Sequence, residues 1–165
     1  MRKILGKIIT IVMIIGMITG CSNSVMNKDK PRHVSTAEVV EKIKSGVELR
    51  ATQVVEGDML SENFHLNMDD VEEATIETGV VNTGIETIAV AKAKDGKVDS
   101  VKEAFEKVIE DKRANAFYPG ESEAIDDAEI KNVGNYVGLF IIPDYEQGNK
   151  NSAEKAVDIF EEALR

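Results

Sequence analysis

The side chains in this sequence that could do chemistry are carboxylates, and they come in clusters: Asp69/Asp70/Glu72/Glu73, Glu121/Glu123 and Asp126/Asp127/Glu129. Paired carboxylates perform acid–base catalysis when a cleft sets their pKa values apart. Acidic loops also bind calcium, which takes about six to eight oxygen ligands. Glu121, Glu123, Asp126 and Asp127 share one loop-like segment and are the calcium candidates, although that segment lacks the glycine and alternating ligands of an EF-hand. Asp144 to Asn149 is similar and equally short of a motif. A solvated acidic surface is the better reading of all these clusters. The two histidines do not form a ligand set: His33 lies in a linker, His65 lies near a helix end, and no H-E-x-x-H spacing occurs. Neither a G-x-S-x-G, a P-loop nor a G-x-G-x-x-G is present. No cofactor and no catalytic residue is implied, and the chain reads as a non-enzyme.

Aromatic side chains offer recognition instead. Phe105, Phe140 and Phe160 fall on apolar faces and read as core, whereas Phe117 and Tyr118 stand beside Pro119-Gly120 as a candidate exposed recognition pair. Tyr145 reads either way.

The only thiol, Cys21, ends the run Ile18-Thr19-Gly20-Cys21. Before it come Arg2, Lys3 and Lys7 and an apolar stretch from Ile8. Thirteen residues from Ile8 to Gly20 suit a secretory apolar region of about 7 to 15 residues better than a span of about 20. The expectation is a lipoprotein signal over residues 1–20, cleaved between Gly20 and Cys21, with lipid attached to Cys21. Residues 21–33 lack an apolar period and contain Pro31, which predicts a lipidated, disordered tether. A single domain then covers residues 34–165.

The charge supports that division. Residues 1–20 carry three cations and no acid, so the formal charge falls from −10 to −13 without them. The tether carries a local +2, and residues 34–165 carry −15. Phosphate binding needs clustered Lys and Arg, so nucleic acid is disfavoured as a partner. The expected partners are the membrane, through the lipid on Cys21, and a protein or other component of the envelope.

The elements that must position these residues follow from local pattern. Ser35 and Glu38 form an S-x-x-E capping box, and Val34 and Val39 a hydrophobic staple, so a helix starts at Ser35 and stops near Gly46. Short helices are expected over Gly57–Phe64 and Asn67–Glu73. Runs rich in β-branched residues predict strands from Ala74 and over Glu86–Lys94, with turn chemistry at Asn82-Thr83-Gly84 between them. A helix from about Ser100 to Ala114, capped by Asp99, carries Val101, Ala104, Phe105, Val108 and Ile109 at helical spacing. A loop through Tyr118-Pro119-Gly120 leads to a second hairpin, Ala128–Val133 and Tyr136–Ile142, joined by Gly134-Asn135. Tyr136–Ile142 is apolar on both faces and belongs inside a sheet. Asn151 and Glu154 start a last helix. The expected fold class is α+β: N-terminal helices, then a β-β-α-β-β-α unit whose mostly antiparallel four-stranded sheet carries helices on one face.

Val71-Glu72-Glu73, Glu86-Thr-Ile-Ala-Val90, Phe117-Tyr118-Pro119, Ala128-Glu-Ile130 and especially Gly134-Asn135-Tyr136-Val137 together resemble a family of small bacterial lipoproteins catalogued as domain of unknown function 4358. Gly138 departs from the aliphatic residue expected after that last run. The resemblance implies a membrane-tethered domain on the extracytoplasmic face of a Gram-positive cell and brings no activity or site residues. The function expected is a non-catalytic binding or interaction module at the cell envelope. The alternative is an envelope-acting enzyme, or an enzyme accessory, that uses surface carboxylates.

Overall fold

Ser35 starts the first helix as its chemistry requires: its hydroxyl accepts the Glu38 amide at 3.2 Å, and Val34 packs onto the apolar cluster beneath. The computed structural model describes residues 33–80, 84–145 and 152–165. The signal, Gly20, Cys21 and the tether up to residue 32 therefore lie outside the described residues, as do Asn82, Thr83 and Asn151.

The elements, in chain order, are α1 (Thr36–Gly46), β1 (Thr52–Val54), α2 (Met59–Glu62), β2 (Val71–Gly79), β3 (Thr87–Ala93), α3 (Val98–Ala114), α4 (Pro119–Asp126), β4 (Glu129–Val133), β5 (Tyr136–Ile141) and α5 (Ser152–Leu164). The strands form one antiparallel sheet in the order β1-β2-β3-β5-β4. The α+β class holds, but the sheet has five strands rather than four. The extra strand, β1, is three residues long, too short for alternation to appear in the sequence.

Helices cover both faces, not one, and β5 explains why. Tyr136, Phe140 and Ile142 point to the face covered by α1 and α5, while Val137, Leu139 and Ile141 point to the face covered by α3 and α4. A strand with apolar residues on both sides must be covered on both sides. On the first face Phe140 meets Phe160 edge to face, with ring centroids 5.6 Å apart. On the second, Phe105 and Val108 of α3 join Ala89, Leu139 and Ile125. Gly138 pairs with Val90 in unbroken register. A Cβ there would come within 2.5 Å of the Phe140 ring, so the missing side chain is the space that ring occupies.

Other departures are local. Asn67 to Asp70 form a turn, and β2 begins at Val71, where a helix was expected. The helix expected over Gly57–Phe64 is the single turn α2. Helix α3 begins two residues early, with Lys97 at the N-cap position and Asp99 inside the first turn. The Tyr118-Pro119-Gly120 loop is the start of α4, with Pro at its first position. The Gly134-Asn135 turn joins Val133 to Tyr136 with a positive φ only at Gly134, the conformation of a II′ turn.

Candidate functional site

Among the described residues three carboxylates lie almost wholly inside the fold: Asp70, Glu77 and Glu86. Burying a carboxylate is costly unless its oxygens are partnered. Glu77, in the middle of β2, accepts from Lys44 of α1 at 2.8 Å and from Thr52 of β1 at 2.6 Å. The bond to Glu77, and then one to Glu41, push the Lys44 ammonium above its ordinary pKa. Asp70, at the start of β2, accepts from Lys97 at 2.9 Å, Ser100 at 2.8 Å and Asn67 at 3.3 Å. Lys97 and then Ser100 hold its carboxyl below the usual value.

Glu86 is different. It lies just before β3 and is fully buried; its Oε1 accepts the Tyr145 hydroxyl, and its Oε2 has no partner among the described residues. Its backbone carbonyl takes the Gly79 amide at 2.8 Å, which fixes the residue at the end of the β2–β3 pair. Gly84 makes the placement of the side chain workable: an ideal Cβ at that position would lie 1.6 Å from Oε2. The carboxylate therefore occupies the space a side chain at 84 would need. Gly79 hems in the same oxygen, its would-be Cβ falling 2.9 Å away. Burial, then the bond to Glu86, raises the Tyr145 hydroxyl well above its ordinary range. The Arg50 guanidinium sits 4.4 Å from the Tyr145 ring centroid, a cation–π distance. Lys112 of α3 is held below the usual lysine value by burial, against the opposing pull of Glu86 and Glu121.

Gly84 and Tyr145 line a cleft of about 760 Å³ together with Arg50, Phe117, Tyr118 and α4. That volume lies within the range of small-molecule and peptide side-chain pockets. Phe117 and Tyr118 stand at its rim, 85% and 70% exposed. They are held by the backbone: Glu121 Oε2 accepts the Phe117 amide at 3.0 Å and the Tyr118 amide at 3.2 Å.

The calcium candidates are thus redistributed. Glu121, Glu123 and Asp126 belong to helix α4 and Asp127 caps it, rather than forming a loop. Glu121 serves the Phe117-Tyr118 backbone, Asp126 pairs with Arg113 of α3 at 3.0 Å, and Glu123 and Asp127 line the cleft. Among the described residues no group of three or more His, Cys, Asp or Glu is placed to hold a metal ion. Asp144 accepts both the amide and the hydroxyl of Ser152 at 2.7 Å, a carboxylate at the start of α5. His65 bonds Asp111 at 2.7 Å, away from the cleft. His33 is exposed at the domain start.

Sequence reasoning placed Phe117 and Tyr118 together and marked Tyr145 as ambiguous, but it passed over Glu86 and Arg50. A signal for Glu86 is present: a carboxylate opens a run of otherwise buried strand residues, two positions after a glycine, so that both fall on one side of an extended chain. Among the described residues no helix is long and apolar enough to cross a membrane. No curated protein and no solved structure matches the chain. The family described as Domain of unknown function (DUF4358) matches residues 44–142, which takes in β1 to β5, Glu86 and the Phe117-Tyr118 rim, and the chain belongs to that family.

Proposed function

We propose that this protein is a lipoprotein held to the extracytoplasmic face of the cell membrane through lipid on Cys21, and that its domain is a non-catalytic binding module for an envelope partner. The observation that carries the binding reading is the rim pair Phe117 and Tyr118. Both are strongly exposed, both border a cleft, and both are fixed at the backbone by Glu121. Exposed aromatics at a concave site are a common form of recognition surface, because they bury large area at low entropic cost. The anchor rests on the charge and apolar pattern of residues 1–21. The enzymatic alternative has less support, since Glu121 and Asp126 are occupied by backbone amides and an arginine.

Capture from native membranes with the full-length protein, followed by mass spectrometry, tests the module. A Phe117→Ala/Tyr118→Ala variant should lose a specific subset of what the wild type retains. An unchanged set of captured molecules sinks the cleft as the binding surface. Cys21→Ser should move the protein out of the membrane fraction; if it stays there after peripheral proteins are stripped, the lipid anchor is wrong.

A further inference from the structure

A second pocket, of about 320 Å³, opens between α2 and the C-terminal turns of α3, away from the aromatic rim. Its apolar wall is Val55, Met59, Phe64 and Val108, and its single cation is Lys112, which lines it directly. Among the described residues the Lys112 side chain makes neither a hydrogen bond nor an ion pair. That sets it apart from Lys44, Lys92, Lys97 and Lys131, each bonded to a carboxylate. A carboxylate partner holds a lysine in its unreactive ammonium form. An unpartnered, partly buried lysine beside apolar side chains loses that hold, because desolvation disfavours the charge. The direction found for Lys112 agrees: burial lowers it, and the charges of Glu86 and Glu121 oppose that only through space.

We propose that Lys112 is a reactive amine that captures small uncharged aldehydes as an imine in the pocket between α2 and α3. This goes beyond the binding-module reading and does not depend on the cleft. The amine nitrogen adds to the carbonyl carbon, its two protons leave with the carbonyl oxygen as water, and a C=N bond replaces C=O. No oxidant or further reactant is needed. The pocket selects the class of carbonyl compound. Its volume and apolar wall suit a short alkyl chain. The other charged groups lining it are Glu62 of α2 and Asp111 of α3, the latter bonded to His65 at 2.7 Å. Those carboxylates and the −15 carried from residue 34 onward repel anionic electrophiles such as keto acids.

The test treats the full-length protein in detergent with propanal and cyanoborohydride, which fixes each imine as a stable amine, and reads every lysine by peptide mass spectrometry. At neutral pH Lys112 should gain label about tenfold faster than the exposed Lys107 and Lys155. Its rate should also level off at a lower pH than theirs. Lys112 labelling no faster than Lys107 overturns the proposal. Glyoxylate, an anionic aldehyde, should label Lys112 with no such lead; an equal lead with glyoxylate overturns the uncharged class. Met59 is 43% exposed, so Met59→Glu should fold while setting a carboxylate beside the amine. It should erase most of the Lys112 lead with propanal. An undiminished lead overturns the argument that an unpartnered amine in an apolar pocket is its cause.

Discussion

The two ends of the β2–β3 pair each hold a buried acid, and they treat it in opposite ways. At one end Asp70 is enclosed by Lys97, Ser100 and Asn67, and its own carbonyl takes the Lys94 amide at 2.8 Å. At the other end Glu86, more deeply buried, has one hydroxyl partner and, among the described residues, none for its second oxygen. Glu77, between them on β2, follows the Asp70 pattern, with a lysine and a threonine. A fold that satisfies two buried carboxylates fully has the means to satisfy a third. The exception lies beside the one rim where aromatic residues face solvent, and that coincidence is the reason to place function there.

The contrast can be broken by substitution. The largest effect is expected at Glu77→Ala, which removes the buried acceptor of Thr52 and leaves Lys44 only its exposed partner Glu41: about 2 to 3 kcal/mol of stability lost in denaturant melts. A loss below about 0.5 kcal/mol would mean that partnered buried acids are not structural here. Next comes Gly84→Ala, whose Cβ meets the Glu86 carboxylate. It should cost about 1 to 3 kcal/mol, and Glu86→Ala in the same chain should recover much of that through a coupling measurable in a double-mutant cycle. Additive losses would show that the two residues do not compete for one space. Glu86→Gln should be the mildest, within about 1 kcal/mol of wild type and on the stabilising side if the bare oxygen is a true deficit. A loss as large as that of Glu77→Ala would erase the comparison.

The last prediction concerns acid. The Asp70 carboxyl titrates below its ordinary value of 3.8, held down by Lys97 and Ser100. A group whose folded pKa is depressed contributes stability above its unfolded pKa, and that contribution disappears as pH falls through the folded value. Thermal melts from about pH 5 down to about pH 2 should therefore decline more steeply for wild type than for Asp70→Asn. Parallel declines would remove Asp70 from the set of structural acids.

How much of this was legible in the sequence depends on how local the cause is. The start of α1 is written in four consecutive residues, from Ser35 to Glu38, and was read correctly. The interior place of β5 was legible because seven consecutive apolar residues cannot sit at an exposed face. The same fact implied helices on both sides of the sheet, a step the expectation of one covered face did not take. Helix α4 was missed because Pro119-Gly120 reads as a turn, although proline at the first helical position starts a helix as readily as it ends one. The turn at Asn67–Asp70 carries the same residues that cap helices, and only the hydrogen bonds of Asp70 to α3 decide between the two. The site was the least legible part: Glu86 and Tyr145 are 59 residues apart, and nothing near either one names the other.

One contact at the domain's edge sets which way that site faces. The Tyr136 hydroxyl donates to the Val34 carbonyl at 2.7 Å, which moors the incoming chain to the first residue of β5. The cleft lies beyond the other end of that strand, at Ile142 to Tyr145, about 20 Å further along at roughly 3.3 Å per residue. Residue 33 and the cleft therefore lie toward opposite ends of β5. The chain enters at the stern, and the cleft rides at the bow.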